Sequence, residues 1–305
     1  MSEEQKETCC LHWHNLLWTV TQEAIAPNAP LPWLEPSRLQ GLAEFYVRPQ
    51  TRPALEPLLE KRFKEYPHRR LGIYFEDLCA FIFEHHPDYR LLARNLPIRD
   101  SGKTLGELDF VLEYLPEQAI EHWEVAVKFY LQVRDGTGQT VWVGPGLRDR
   151  LDVKLARMAN HQFPIATDDR ATALLLEKGM AVSRHCALVP GRLFHHYHQQ
   201  QPHATHGTHR NWWTDLDSFL DEDSECGELW RPLKRTEWLA DLHQVDDATP
   251  SRAEAAKAVN SLRRPVCIAQ IDHSGTEITR GFVTPADWPD RAQRTLQGDR
   301  AGTKG

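Results

Sequence analysis

The chain has 305 residues, 41% hydrophobic and 26% charged, with 43 acidic side chains against 36 basic ones and a net charge of −7. That length can bury a real core in one large domain or two modest ones, and ten tryptophans argue for a packed interior over disorder. The acid excess excludes a general field that would draw the molecule onto nucleic acid, so any such binding needs a local basic groove.

The opening "MSEEQKETCC" carries acids where a secretory signal needs bases, and no run approaches the roughly 18 apolar residues of a spanning helix. Six cysteines (Cys9, Cys10, Cys79, Cys186, Cys226 and Cys267) are scattered without a disulfide-framework spacing. These features predict a cytoplasmic, soluble protein with reduced thiols and no membrane partner.

Residues 11 to 66 read as helices broken by prolines. In "RRLGIYFEDLCAFIFEHHPDY", Leu71, Phe75, Leu78 and Ile82 recur at helical spacing, and Pro87 ends the element. Strands are expected at 89 to 99, 107 to 114 and 122 to 133. "RDGTGQ" is a hairpin turn returning into "TVWVG". One long helix then spans "DRLDVKLARMANHQF", with Leu151, Leu155, Met158 and Phe163 inward, and a second spans "TALLLEKGMA" with Gly179 near its end. "VSRHCALVPGRLF" gives two short strands.

Residues 199 to 211 read as an exposed loop. "WWTDLDSFLD" and "ELWRPLKRTEWLADLHQV" look helical, "RPVCIAQIDHSGTEITRGFVTP" is a hairpin, and the last fifteen residues read as a mobile tail. The order is that of an α/β protein with a mixed central sheet flanked by helices.

Period-two alternation places Glu124, Ala126, Lys128 and Tyr130 on one face of the 122–133 strand, and Trp123, Val125, Val127, Phe129 and Leu131 on the other. Glu107 and Asp109 share a face of the preceding strand, and Glu76 on the preceding helix is placed to reach the same spot. A wet strand face is the plain reading of such a pattern. Two acids and a lysine are also what metal-assisted phosphodiester hydrolysis needs. Carboxylates hold Mg²⁺ or Mn²⁺, the ion activates a water, and the lysine neutralises developing charge.

The acid-bearing helix, the "GELDF" hairpin, "EVAVKFY" and the polar helix, in that order, resemble the core of the PD-(D/E)XK nuclease-like superfamily. More narrowly, "GELDFV", "HWEVAVKFYL", "GPGLRDRLDVKL", "GRLFHH", "WW" at 212 and 213, "EWLA" and "RGFVTP" resemble the bacterial family catalogued as domain of unknown function 1853. The likeness runs from about residue 15 to 290.

The resemblance implies a restriction-endonuclease-like core over 69–198, preceded by a helical part over 1–68. A helix and β-hairpin part of the same body follows over 199–290, with the tail at 291–305. It implies Asp109, Glu124 and Glu76 as metal ligands, Lys128 and Glu124 as catalytic residues, Mg²⁺ (or Mn²⁺) as cofactor, and DNA or RNA as substrate. One position departs from the pattern. The acid expected two residues before the lysine is Ala126, and Glu124 lies four residues before it, about 13 Å away along a strand where about 6.6 Å is expected. A bulge could shorten the span, or Glu76 or Glu107 could substitute. Otherwise the site is degenerate, and the chain is a nuclease-like fold that binds nucleic acid or a protein.

Arg148, Arg150, Lys154 and Arg157 form either a phosphate-binding face, with Lys154, Arg150 and Arg157 as substrate contacts, or helix ion pairs with Asp149 and Asp152. His161 and Gln162 at the helix end lie within reach of the same pocket or serve as a cap. Six histidines at 195, 196, 198, 203, 206 and 209 have irregular spacing, which favours a solvated loop over zinc. Trp212 and Trp213, with Arg210 nearby, read as packing residues before base-stacking ones.

Overall fold

A computed structural model describes residues 11–66, 70–100, 103–197, 211–221, 229–243 and 251–302. The expectations placed on Cys9, Cys10, His198, His203, His206, His209, Arg210 and Cys226 fall outside the described residues.

Three helices open the chain, α1 (Leu11–Thr21), α2 (Pro36–Tyr46) and α3 (Thr51–Glu65), and they pack over α4 (Leu71–His85). The sequence of α4 is apolar nearly all round, and nine of its residues are buried. A helix of that kind needs partners on both sides. It lies between the opening helices and a four-stranded sheet, with Phe83 packed edge-on against Phe110 and Trp123.

That sheet runs β1 (Tyr89–Asp100), β2 (Lys103–Tyr114), β3 (Ala119–Val125) and β6 (Arg184–Leu188), in that spatial order. The first three strands form an antiparallel meander, and β6 is parallel to β3. Its other face is covered by α7 (Asp169–Glu177), whose Ala171 and Leu175 pack on Ile98, Leu108 and Val111.

A second, seven-stranded sheet has the order β5-β4-β7-β8-β11-β10-β9. Its strands are β4 (Lys128–Arg134), β5 (Thr140–Val143), β7 (Gly191–His196), β8 (Asn211–Asp215), β9 (Leu229–Pro232), β10 (Val266–Ile271) and β11 (Glu277–Thr284). The expected core and the expected C-terminal part therefore share one sheet.

The 122–133 strand is two strands. β3 ends at Val125 in the first sheet, and β4 begins at Lys128 in the second. The parallel neighbour bends with it, since Ala126 N–H donates to Leu188 O at 3.1 Å and Lys128 N–H to Pro190 O at 3.2 Å. Both strand pairs cross from one sheet to the other at the same place. Gly191 permits this, because a Cβ there would stand 2.2 Å from the carbonyl oxygen of Lys128.

Other expectations are also corrected. "WWTD" is strand β8, followed by the short helix α8 (Leu216–Asp221). "LWRP" is β9, an edge strand on β10. α9 (Arg252–Leu262) was not foreseen. The chain beyond 290 is no tail as far as Gly302: α10 (Trp288–Gly302) buries Trp288, Ala292 and Leu296. The long helix is interrupted, with α5 (Leu151–Arg157) passing through a π-helical turn at Met158–Gln162 into α6 (Phe163–Ile165). No helix among the described residues is long and apolar enough to cross a membrane.

Candidate active site

The end of β3, the middle of β2 and the α5–π–α6 segment meet around two carboxyl groups. Asp109 and Glu124 lie in mutual hydrogen-bonding reach. Oδ2 of Asp109 accepts the backbone N–H of Val125 at 3.0 Å, and Glu124 is 1% exposed. Burial, followed by the charge of Glu124, pushes the Asp109 carboxyl up to about 7. Burial also pushes Glu124 up to about 7, against the pull of Lys154. Two acids this close in a poorly hydrated place hold a proton that an exposed pair would have lost.

Glu76 joins them from α4. Its carboxyl is raised by burial and then by the charge of Asp109, while Arg94 and a hydrogen bond from Asn95 act the other way. Glu107 is exposed and lines the cleft in front of the pair.

Lys154 faces the acids from α5. Burial and then neighbouring Lys128 lower its pKa, while Glu124, Asp109 and Asp149 raise it. Its Nζ donates to Oε1 of Gln162 at 2.8 Å, and Nε2 of Gln162 donates to Oε2 of Glu124. Gln162 thus ties the amine to the acid. The π turn places it: one wide turn swings residue 162 inward and leaves His161 on the cleft, an arrangement often found at functional sites.

The cleft has a volume of about 400 Å³, with Glu107, Asp109, Arg157, His161 and Gln162 in its wall. Gly106 and Ile165 also line it, the Ile165 side chain lying against the glycine.

The expected residues divide. Asp109, Glu124, Glu76 and Lys154 are brought together, and Arg157 is on the cleft wall. Lys128 is not brought to the acids by its own strand, because the chain changes sheets two residues earlier. Its Nζ pairs with Asp149 at 2.5 Å. Arg150 pairs with Asp152 at 2.6 Å, so the ion-pair reading of the helix describes that residue. His195 and His196 lie on β7 against Trp142 and Trp213. Trp212 and Trp213 are 5% and 3% exposed, as packing requires.

Sequence reasoning missed His122, which is fully buried and shares a strand face with Glu124. Its Nε2 meets Oε1 of Glu124 at 2.9 Å. Period-two spacing in "EHWEV" would have shown the shared face; nothing local shows the partner, His185 on β6.

The donor set fits a hard divalent cation in chemical type. Mg²⁺ is commonly held by one or two carboxylates, with water and substrate phosphate filling the remaining positions. Asp109 and Glu124 supply two such carboxylates, and a bound cation would relieve their mutual repulsion. Among the described residues no group of three or more His, Cys, Asp or Glu side chains is arranged to hold a metal.

A family model described as Domain of unknown function (DUF1853) matches residues 14–284. No curated protein matches the chain, and no solved structure matches it.

Proposed function

The chain belongs to the DUF1853 family, and for it we propose a metal-dependent nucleic-acid phosphodiester hydrolase of the PD-(D/E)XK-like type. The observation that carries this reading is the pairing of buried Glu124 with half-buried Asp109 on the wall of an open cleft, with the Lys154 amine tied beside Glu124 by Gln162. Around it stand an acid-bearing helix, an acid-bearing hairpin, an acid strand and a polar helix, the order on which the resemblance to that superfamily rests. Lys154, coming from the helix, takes the place that the pattern gives to the strand lysine. Three intervening residues and a change of sheet separate Lys128 from Glu124.

Asp109 and Glu124 would hold Mg²⁺ or Mn²⁺, with Glu76 supporting them through the surrounding charge. Such an ion supplies a Lewis acid for the phosphoryl oxygen and an activated water. The chain's own groups do the rest. Lys154 would set a positive charge beside the oxygens of the five-coordinate phosphorus, where negative charge gathers, and a donor so placed is worth about 10²–10³ in rate. Arg157 on the cleft wall would bind the flanking phosphate and supply the local positive charge that the net charge of −7 does not, with His161 beside it as a hydrogen-bonding group.

Cleavage of labelled single- and double-stranded DNA and RNA with Mg²⁺ or Mn²⁺ tests the proposal. Asp109→Asn and Lys154→Met should abolish turnover, whereas Lys128→Met should leave most of it. No metal-dependent cleavage by the wild type, with retained binding to the same panel, would assign the chain to the other reading, a nuclease-like fold that binds without cutting.

A further inference from the structure

His122 on β3 and His185 on β6 face each other in register across a parallel strand pair. Their Nδ1 atoms are 3.2 Å apart, and Nε2 of His122 is 2.9 Å from Oε1 of Glu124. Phe163 packs edge-on against both rings, with centroids at 5.7 and 6.0 Å. His122 is 0% exposed, and His185 is half-buried.

The hydrogens of this chain follow from the partners. With a cation bound Glu124 is a carboxylate, which only accepts, so in that state the Nε2 of His122 carries the proton. A neutral imidazole has one N–H, which leaves Nδ1 of His122 bare and able only to accept. The Nδ1 facing it must then carry its own proton. The direction is fixed: His185 donates to His122, and His122 donates to Glu124. Gln162 donates to the other oxygen of Glu124 from the opposite side. The carboxylate is gripped at both oxygens, each keeping a second lone pair.

We propose that His122 and His185 are positioning residues for the acid pair, a one-way donor chain that holds the Glu124 carboxylate in the orientation in which it and Asp109 take a divalent cation. The proposal rests on the reading of Asp109 and Glu124 as cation ligands. A space-filling aromatic pair would fill the same volume. It would take the imidazole donor away from Oε1 of a buried carboxylate. Partners of this kind, which touch no metal themselves, set ligand orientation and are worth about ten- to a hundredfold in metal affinity.

The test is a Mn²⁺ titration of the full chain, with free Mn²⁺ read by electron paramagnetic resonance at constant pH and salt. The variants are His185→Phe, His185→Asn and His122→Gln. The amide nitrogen of Asn stands in for the Nδ1 of histidine, and that of Gln for Nε2. His185→Phe should weaken Mn²⁺ binding about tenfold, and His185→Asn should restore it. In the His122→Gln background His185→Phe should have no further effect, because Gln donates to Glu124 without help. Equal Mn²⁺ affinity in wild type and His185→Phe overturns the donor chain and leaves the metal reading standing. A wild type that binds no Mn²⁺ overturns both. Long-range ¹⁵N–¹H spectra of the wild type at a pH well above 7, where Glu124 is ionised, report the tautomers independently of folding in any variant. A proton on Nδ1 of His122 overturns the proposal; protons on Nε2 of His122 and Nδ1 of His185 support it.

Discussion

Asp109 accepts the backbone N–H of Val125 at 3.0 Å and so ties the middle of β2 to the last residue of β3. The bond stands where the chain leaves one sheet for the other. It gives Asp109 two tasks, holding that exit and presenting a carboxyl to Glu124. An amide at 109 keeps the first task and loses the second, which makes Asp109→Asn the informative substitution.

Its first consequence is a stability that depends on pH. Both carboxyls are pushed up to about 7, by burial and, for Asp109, by the neighbouring acid, whereas in the unfolded chain they titrate near 4. Between those limits the folded state binds more protons, so stability falls as pH rises from about 4 to 7. The favourable contribution is fully present below the unfolded values and is lost once the folded values are passed. Asp109→Asn removes one of the two repelling groups. In chelator its stability relative to wild type should be greater at pH 8 than at pH 5 by about 2 kcal/mol. Urea denaturation at the two pH values checks this, and the same difference from wild type at both would remove the like-charge account.

Cation binding should show the reverse dependence. A divalent ion and the held proton compete for the same oxygens. Mn²⁺ at about 100 times its dissociation constant should stabilise the wild type by about 2.7 kcal/mol at pH 8, a rise in Tm of several degrees for a chain of this size. At pH 5.5 the same concentration should do much less, and in Asp109→Asn almost nothing at either pH. Differential scanning fluorimetry with matched ionic strength reads all of these, and an equal shift in wild type and variant would place the ion elsewhere.

The site was legible in the sequence where chemistry and spacing are local. Asp109 and Glu124 lie on a hairpin whose alternation is clean, and Phe110 does pair with Trp123. The sheet change was not legible, because "EVAVK" alternates straight through the break. What bends the strand is its pairing with Pro190 and Gly191, more than sixty positions on in the chain. Lys128 was misplaced for that reason, and Lys154 could be read only as one of several helix cations. The same long-range pairing makes "WWTD" a strand, its register set by parallel contact with β11, although its apolar spacing suits a helix. α10 was hidden differently: Trp288, Ala292 and Leu296 stand at i, i+4 and i+8, a helical stripe that starts before the stretch taken as a tail.

Away from the cleft, Arg280 and Glu277 are each 1% exposed in their side chains, with Nε and Nη2 of the arginine on the two carboxylate oxygens at 2.5 and 2.6 Å. Arg280 also donates to the carbonyls of Trp238 and Ala240 at 2.6 and 2.7 Å, so it fastens an irregular segment to β11. Arg280→Met strands a buried carboxylate and should cost about 3–5 kcal/mol. Arg280→Met with Glu277→Leu removes the stranded charge and should recover part of that loss, but not the carbonyl contacts. Urea midpoints of the single and double variants separate the two parts. A double variant no better than the single would mean that the carbonyl contacts carry the effect.

The bend between the sheets predicts a contrast between two glycines. A Cβ at Gly191 would meet the Lys128 carbonyl oxygen at 2.2 Å and Cδ1 of Ile25 at 2.5 Å. The first is backbone in a parallel pair, fixed where both strands cross, so it cannot give way without opening β4 from β7. A Cβ at Gly106 meets Cδ1 of Ile165 at the same 2.2 Å, but that atom is the far end of a side chain that can turn away. Gly191→Ala should therefore cost about 3 kcal/mol or more, at or above the usual range for overpacking, and Gly106→Ala about 1 kcal/mol. Because Gly191 sets where β3 gives way to β4, Gly191→Ala should also disturb Glu124 and weaken Mn²⁺ binding. Gly106→Ala should leave Mn²⁺ affinity unchanged while altering the cleft wall. Denaturation curves and Mn²⁺ titrations on both variants decide this, and equal costs at the two positions would mean that the strand crossing can relax around a methyl group.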